Sequence, residues 1–171
     1  MGLVDEEAEA ERERAATADP LIRAFRQLAY RHLQKERYAD AEKLFRVLLR
    51  RRPEEPDFML GLGWTILRDQ EGITQDRLAE ARTNLRRACT RAPYNADARY
   101  CMAMCYLACG YHRRVLDELQ AALRSDPGHV LAREALEKLQ GDTVRGRSRD
   151  ASSSGLSRAL RALSEAVSKM G

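Results

Sequence analysis

The sequence predicts an all-α protein built from repeated units. Ala, Leu, Arg and Glu, which are strong helix formers, are abundant, whereas the chain has only 10 glycines and 5 prolines among 171 residues. Pro53, Pro93 and Pro127 lie 40 and then 34 residues apart, and a proline of this kind ends a helix. Small and apolar residues precede them at matching spacings. A fixed period of this length predicts a solenoid of stacked units.

Two sets of positions define the unit and locate an insertion. One set keeps the proline order of 40 then 34 residues: Ala41, Ala81 and Val115. A second set keeps the reverse order: Leu28, Leu62 and Met102. The unit is therefore 34 residues long, and six extra residues lie between Ile66 and Leu78. The segment 69–74 contains the glycine and threonine expected of a loop followed by a helix N-cap.

The order of residue types in the unit resembles the tetratricopeptide repeat (TPR), in which a large apolar residue, Leu, Gly or Ala, an aromatic residue, Ala, Phe and Pro follow one another. The first unit reads Phe25, Leu28, Ala29, His32, Ala41, Phe45 and Pro53. The second unit reads Met59, Leu62, Gly63, Ile66, Ala81, Leu85, Ala88 and Pro93. The third unit reads Met102, Ala103, Tyr106, Gly110, Ala122 and Pro127. Arg99, His32 and Val115 depart from the pattern without changing the register.

The resemblance covers residues 22–129 and implies a right-handed superhelix of three helix pairs. The TPR domain is expected over residues 21–140, with the units at 22–55, 56–95 and 96–129. A capping helix is expected at 130–140, with Leu131, Ala135, Leu136 and Leu139 turned inward.

The flanking segments differ in composition from the repeats. Residues 1–20 are charged and read as a frayed helix or disordered tail. Residues 141–155 are rich in Gly, Ser and Arg and predict a flexible linker. An amphipathic helix is predicted at 156–170, with one apolar stripe: Leu156, Leu160, Leu163, Val167 and Met170. This docking helix has three possible fates, namely folding back on the solenoid, binding a partner or a second copy, and lying on a membrane surface.

In TPR proteins the first helix of each pair lines a concave groove, and the resemblance carries those positions onto this chain. The first unit contributes Arg23, Arg26, Tyr30, Leu33 and Gln34. The second contributes Asp57, Leu60, Trp64, Leu67 and Arg68, and the third Asp97, Tyr100, Met104, Leu107 and Ala108. Aromatic and aliphatic residues beside arginines suit a peptide with apolar anchors and some acidic character. The alternative is that the chain's own last helix covers these residues.

The remaining residues favour binding over catalysis. Tyr30 and Trp64 replace the asparagines with which some TPR domains clamp a C-terminal carboxylate. Cys101, Cys105 and Cys109 share a helical face, but paired metal-ligand spacings are missing, so we expect no metal, no cofactor and no enzyme. The net charge of +4 and the lack of a known module argue against nucleic acid.

We therefore expect a cytoplasmic adaptor that binds a peptide segment of a partner protein in the TPR groove. No secretory h-region or apolar run of membrane-spanning length appears in the sequence. Two alternatives remain open. One is a secretion chaperone resembling the class II chaperones of type III secretion, and the other is a scaffold that self-associates through the helix at 156–170.

Overall fold

The computed structural model of the chain describes residues 19–146, and all regular structure within that range is α-helical. The helices are α1 (Pro20–Gln34), α2 (Tyr38–Arg51), α3 (Pro56–Arg68), α4 (Gln75–Arg91), α5 (Ala96–Ala108), α6 (His112–Ser125) and α7 (Val130–Gly146). The all-α prediction is confirmed for this part of the chain. Most of the charged N-terminal segment and the whole of the predicted helix at 156–170 lie outside the described residues.

The packing of the helices follows chain order. The most extensive contacts are within the pairs α1–α2, α3–α4 and α5–α6, and each second helix then packs on the helix that follows it. The first helices of the pairs also touch, because α3 contacts both α1 and α5. Each element thus packs on its near neighbours in the sequence, which is the arrangement of a helical solenoid.

Positions related by the repeat spacing are buried alike. The fully buried sets in the second helices are Ala41, Ala81 and Val115, then Phe45, Leu85 and Leu119, then Leu48, Ala88 and Ala122. In the first helices Ala29 and Ala103 are fully buried at the position where Gly63 stands. Leu28 is the exception, since it is 37% exposed whereas Leu62 and Met102 are buried. Among the described residues no helix precedes α1 to cover it.

Two glycines let α3 lie close to helices on both sides. A Cβ atom on Gly61 would stand 2.2 Å from Cε1 of Phe45 in α2. On Gly63 it would stand 2.6 Å from Cγ of Leu85 and 3.2 Å from the carbonyl oxygen of Ala81, both in α4. Protein interiors are close-packed, so neither position has space for a side chain. The small residues of the repeat therefore set the distances between helices.

Short polar side chains begin several helices. The Asp19 carboxylate accepts a hydrogen bond from the backbone N–H of Leu21 at 3.0 Å, and Asn95 Oδ1 accepts one from Ala98 at 2.9 Å. The N-cap predicted after the inserted residues is confirmed, because Thr74 Oγ1 accepts from the N–H of Arg77 at 3.3 Å. The six residues 69–74 form the connection between α3 and α4.

The capping helix differs from its prediction in length and in the direction of one side chain. It runs to Gly146, so the first six residues of the predicted linker, 141–146, are helical. Glycine within a helix costs only about 1 kcal/mol, and no proline stops the helix here. Leu131 is 38% exposed and was wrongly expected to point inward. Ala135 and Leu139 are buried as expected, and Ala132 is buried in place of Leu131.

Several arginines of the second helices pair with carboxylates. Arg46 binds Glu80, while Arg87 and Arg91 both reach Glu54. Arg50, Arg51 and Arg86 are exposed. The exposed pairs of Arg87 and Arg91 with Glu54 contribute little stability individually, about 0–1 kcal/mol each.

Gly61→Ala is expected to lower the free energy of unfolding by about 1–3 kcal/mol, because the added methyl group would overlap the Phe45 ring. Urea denaturation followed by circular dichroism measures this change. When Phe45→Leu, which makes room for the methyl group, is added, the total loss should be smaller than the sum of the two single losses. If the two substitutions are simply additive, the close contact does not limit the packing.

Two connections each contain a residue with a positive φ angle, and opposite substitutions at these residues test its cost. Glu36 has a φ angle of 57° and Gly110 one of 76°, a region that costs residues with a side chain about 1–2 kcal/mol. Glu36→Gly should therefore raise the free energy of unfolding by about 1 kcal/mol, and Gly110→Ala should lower it by a similar amount. Changes in the same direction in both variants, measured by urea denaturation, would contradict this reading of the turns.

Candidate functional site

Two neighbouring cavities lie along the first helices of the pairs. The first has a volume of about 270 Å³ and is lined by Tyr30, Asp57, Leu60, Gly61, Trp64, Asn95, Asp97, Tyr100, Cys101 and Leu131. The second has a volume of about 300 Å³ and is lined by Trp64, Leu67, Arg68, Gln70, Ile73, Leu78, Met104, Leu107 and Ala108. Trp64 lines both cavities, and we call the two together the groove.

A row of aromatic rings crosses the first cavity. The ring centroids of Trp64 and Tyr100 are 6.1 Å apart, and those of Tyr100 and His129 are 5.5 Å apart. Tyr30 packs edge-on against Phe45 at 5.2 Å on the opposite side. Contacts of this geometry add about 0.5–1.5 kcal/mol beyond area burial, so they hold the rings in place.

The phenol groups of the first cavity stay protonated. Burial, together with the neighbouring Asp57 carboxylate, raises the pKa of Tyr30 well above its ordinary value. Its hydroxyl group donates a hydrogen bond to Asp57 Oδ1 at 2.8 Å. Burial likewise raises the pKa of Tyr100 to about 12. At neutral pH both rings are therefore neutral hydrogen-bond donors with apolar faces.

The charges of the groove are largely paired within the chain. Arg26 Nε donates to Asp57 Oδ2 at 2.6 Å, and the hydrogen bond to Asp57 raises the pKa of Arg26. The guanidinium carbon of Arg68 lies 5.9 Å from the centroid of the Trp64 ring, within cation–π range. Asp97 is exposed at the rim and contacts His129 Nε2 at 3.1 Å. The first cavity thus has carboxylates at its rim, whereas the second has a guanidinium group.

His129 has a fixed hydrogen-bonding role at the edge of the first cavity. Its Nδ1 accepts a hydrogen bond from the backbone N–H of Ala132 at 3.1 Å, so this nitrogen carries no proton. The proton of the neutral ring is then on Nε2, which donates to Asp97 Oδ1. His129 therefore caps α7 and positions Asp97 at the same time.

The structure brings together most of the residues predicted for the groove. Eleven of the fifteen line the cavities: Tyr30, Asp57, Leu60, Trp64, Leu67, Arg68, Asp97, Tyr100, Met104, Leu107 and Ala108. Tyr100 and Met104 are only 6% and 5% exposed, so they form the floor and not an open surface. The first unit contributes less than expected. Arg23 and Gln34 are exposed away from both cavities, and Leu33 packs half-buried against the core.

Several lining residues were not predicted from the sequence. Leu131 and Asn95 belong to the cap and to a connection, which the positions of first helices do not include. Gln70 and Ile73 come from the six inserted residues, and Leu78 from the helix that follows them. The break in the repeat spacing between Ile66 and Leu78 was the available signal for this second group.

A network of ion pairs holds the inserted connection against two helices. Arg77 Nη2 donates to Asp69 Oδ2 at 3.0 Å and to Glu42 Oε2 at 2.9 Å. Glu42 also accepts from Arg46, which in turn binds both carboxylate oxygens of Glu80 at 2.7 and 2.9 Å. Bidentate arginine–carboxylate pairs are the strong members of this class. The network therefore ties α2, α4 and the connection into one unit.

The cysteines of α5 lie in the core. Cys101 and Cys105 are buried and unpaired, and burial raises the pKa of both thiols, that of Cys105 to about 12. They behave as small apolar side chains that are not activated for nucleophilic chemistry. No cluster of three or more His, Cys, Asp or Glu residues suited to a metal ion occurs within residues 19–146.

The chain matches no protein-family model and no curated protein sequence. Between residues 19 and 146, the structure contains no helix whose length and hydropathy are sufficient to cross a membrane.

Glu42→Gln should lower the free energy of unfolding at pH 7 by about 1–3 kcal/mol, since Glu42 accepts charged hydrogen bonds from two arginines. Burial alone would raise the pKa of Glu42, but the hydrogen bonds from Arg46 and Arg77 outweigh it and place the pKa below its ordinary value of 4.5. The stabilising contribution is thus present above pH 4.5 and lost as the pH falls through the lower, folded-state value.

The difference in stability between wild type and Glu42→Gln is therefore expected to shrink between pH 5 and pH 3, as measured by urea denaturation at each pH. Glu71→Gln, at an exposed position of the same connection, serves as the control and should change little at any pH. A difference for Glu42→Gln that is as large at pH 3 as at pH 7 would contradict this role of the carboxylate.

Proposed function

We propose that the chain is a TPR protein whose groove binds a peptide segment of a partner protein. The single observation that carries this proposal is the row of aromatic and aliphatic side chains along α3 and α5. These side chains come from the positions that the TPR resemblance assigns to ligand binding, and they line two adjoining cavities. Concave, mostly apolar sites with a few polar groups are the usual form of binding pockets.

The burial pattern supports the repeat itself. The second helices bury Ala41, Ala81 and Val115 at equivalent positions, and a larger apolar residue follows each of them four positions later. Because a helix pair cannot bury its apolar side alone, stacked pairs and a cap share one core. The fold does not by itself determine the function, so the proposal of peptide binding depends on the groove.

The chemistry of the lining favours a peptide with apolar anchors. The groove side of α3 presents Leu60, Trp64 and Leu67, all half-buried and therefore able to lose further surface on binding. Each fully buried leucine-sized side chain contributes about 1.5–3 kcal/mol, so two or three anchors are enough for a stable complex. Ordered aromatic rings suit this task, since they lose little conformational entropy when a ligand arrives.

Affinity capture from native lysate tests the proposal when groove variants are compared with wild type. Leu60→Asp and Leu107→Asp introduce a charge into the first and second cavities respectively, and each should reduce partner recovery by roughly tenfold or more. Val47→Asp, at a half-buried position of α2 outside both cavities, is the matched control and should leave recovery unchanged.

Circular dichroism confirms that each variant is folded. The bound proteins are identified and quantified by mass spectrometry. Equal recovery of the same partners by wild type and both groove variants would show that binding takes place elsewhere on the chain.

A further inference from the structure

The connection between α3 and α4 differs from its two counterparts. The first and third pairs are joined by three residues each, 35–37 and 109–111, and both turns close with the same hydrogen bond. The backbone N–H of Arg37 donates to the carbonyl oxygen of His32 at 2.9 Å, and that of Tyr111 donates to the carbonyl oxygen of Tyr106 at 2.8 Å. The second pair is joined by residues 69–74, which extend past the ends of the helices. We call this segment the inserted loop.

The inserted loop forms one wall of the second cavity. Gln70 and Ile73 line that cavity opposite Met104 and Leu107 of α5, and Ile73 is half-buried there. The connection is three residues longer than either of the other two turns, and it supplies two of the nine residues that line this pocket.

Contacts at both ends hold the loop in position. Asp69 pairs with Arg77, which is itself held by Glu42, and Thr74 caps α4. In the middle, Gly72 lies so close to Asp69 that a Cβ atom on it would stand 2.5 Å from the carboxylate oxygen. A loop fixed in this way presents Ile73 to a ligand without a large entropic cost.

We infer that the inserted loop is the specificity element of the groove, with Ile73 as its selecting residue. It makes a pocket for one leucine- or methionine-sized side chain of the bound peptide. Among the residues that line the pocket, Arg68 alone is charged, and the Glu36 carboxylate lies 3.9 Å from it. An acidic residue beside the apolar anchor of the peptide adds a second carboxylate to the same guanidinium group. This inference rests on the proposed function and names the partner chemistry of the same groove.

In the first step of the test, a displayed library of random peptides is screened for peptides that bind the full-length chain. The recovered peptides are expected to share an apolar residue next to Asp or Glu. One such peptide is synthesised, and its binding is followed by the fluorescence of Trp64, the sole tryptophan, which lines both cavities. Ile73→Ser is compared with Glu71→Ser, an exposed position on the same loop.

Ile73→Ser is expected to weaken binding of the peptide roughly tenfold or more, and Glu71→Ser to leave it unchanged. Replacing the apolar residue of the peptide by alanine should weaken binding to wild type by a similar factor. The same replacement should have little further effect in Ile73→Ser, because the two side chains contact each other. Circular dichroism and urea denaturation verify that both variants are folded.

The contrary outcomes separate this inference from the proposed function. Full binding by Ile73→Ser, with loss of binding by Leu60→Asp, would overturn the role of the loop and leave the groove as the site. Failure to select any peptide would overturn the proposed function as well. Selection only after Leu160→Asp and Leu163→Asp are introduced would show that the chain's own segment 156–170 fills the pocket, which overturns a partner as its occupant.

Discussion

The close approach of helices at small residues is the constraint on which the rest of the structure depends. Gly61 accepts the Phe45 ring of the preceding pair against its backbone, and Gly63 accepts Leu85 of its own pair. Ala29 and Ala103 occupy the position of Gly63 in the other units and are likewise fully buried. Larger residues at these points would separate the helices and open cavities in the shared core.

Burial of α3 on two sides follows from this packing and explains the groove. Phe58, Leu62 and Ile66 face the core of the first pair, whereas Met59 faces the core of the later helices. The face of α3 that remains carries Leu60, Trp64 and Leu67, between α1 and α5. Because α3 has so few polar residues, its surface is apolar wherever neighbouring helices leave it uncovered. Tyr100 and Met104 of α5 form the floor of the groove beside it.

Much of the fold could be predicted from the sequence, because the repeat spacing and the core packing express the same constraint. The apolar positions of the second helices that keep the 40-then-34 spacing are fully buried, as Phe45, Leu85 and Leu119 show. The N-cap at Thr74 followed from residue type and from its place after an insertion. At such positions the local residue preference and the long-range packing favour the same structure, so the structure can be predicted from the sequence.

The parts that could not be predicted depend on neighbours that no pattern specifies. Arg26 was expected to attract an acidic ligand, but the nearby Asp57 already pairs with it. The exposure of Leu131 depends on what covers the first turn of α7, where this side chain lines the open first cavity. Predicting that Ile73 lines the second cavity requires the path of the inserted loop, which composition alone does not define.

Methyl NMR spectra of the full chain, recorded with and without a captured partner's binding peptide, test the central claim most directly. Binding in the groove predicts large shift changes for Leu60, Leu67 and Leu107, which line it. Leu116 and Leu123 of α6 pack against the core without lining either cavity, and their signals should stay in place. Shift changes confined to α6, with the groove signals unmoved, would contradict the claim that the first helices hold the ligand.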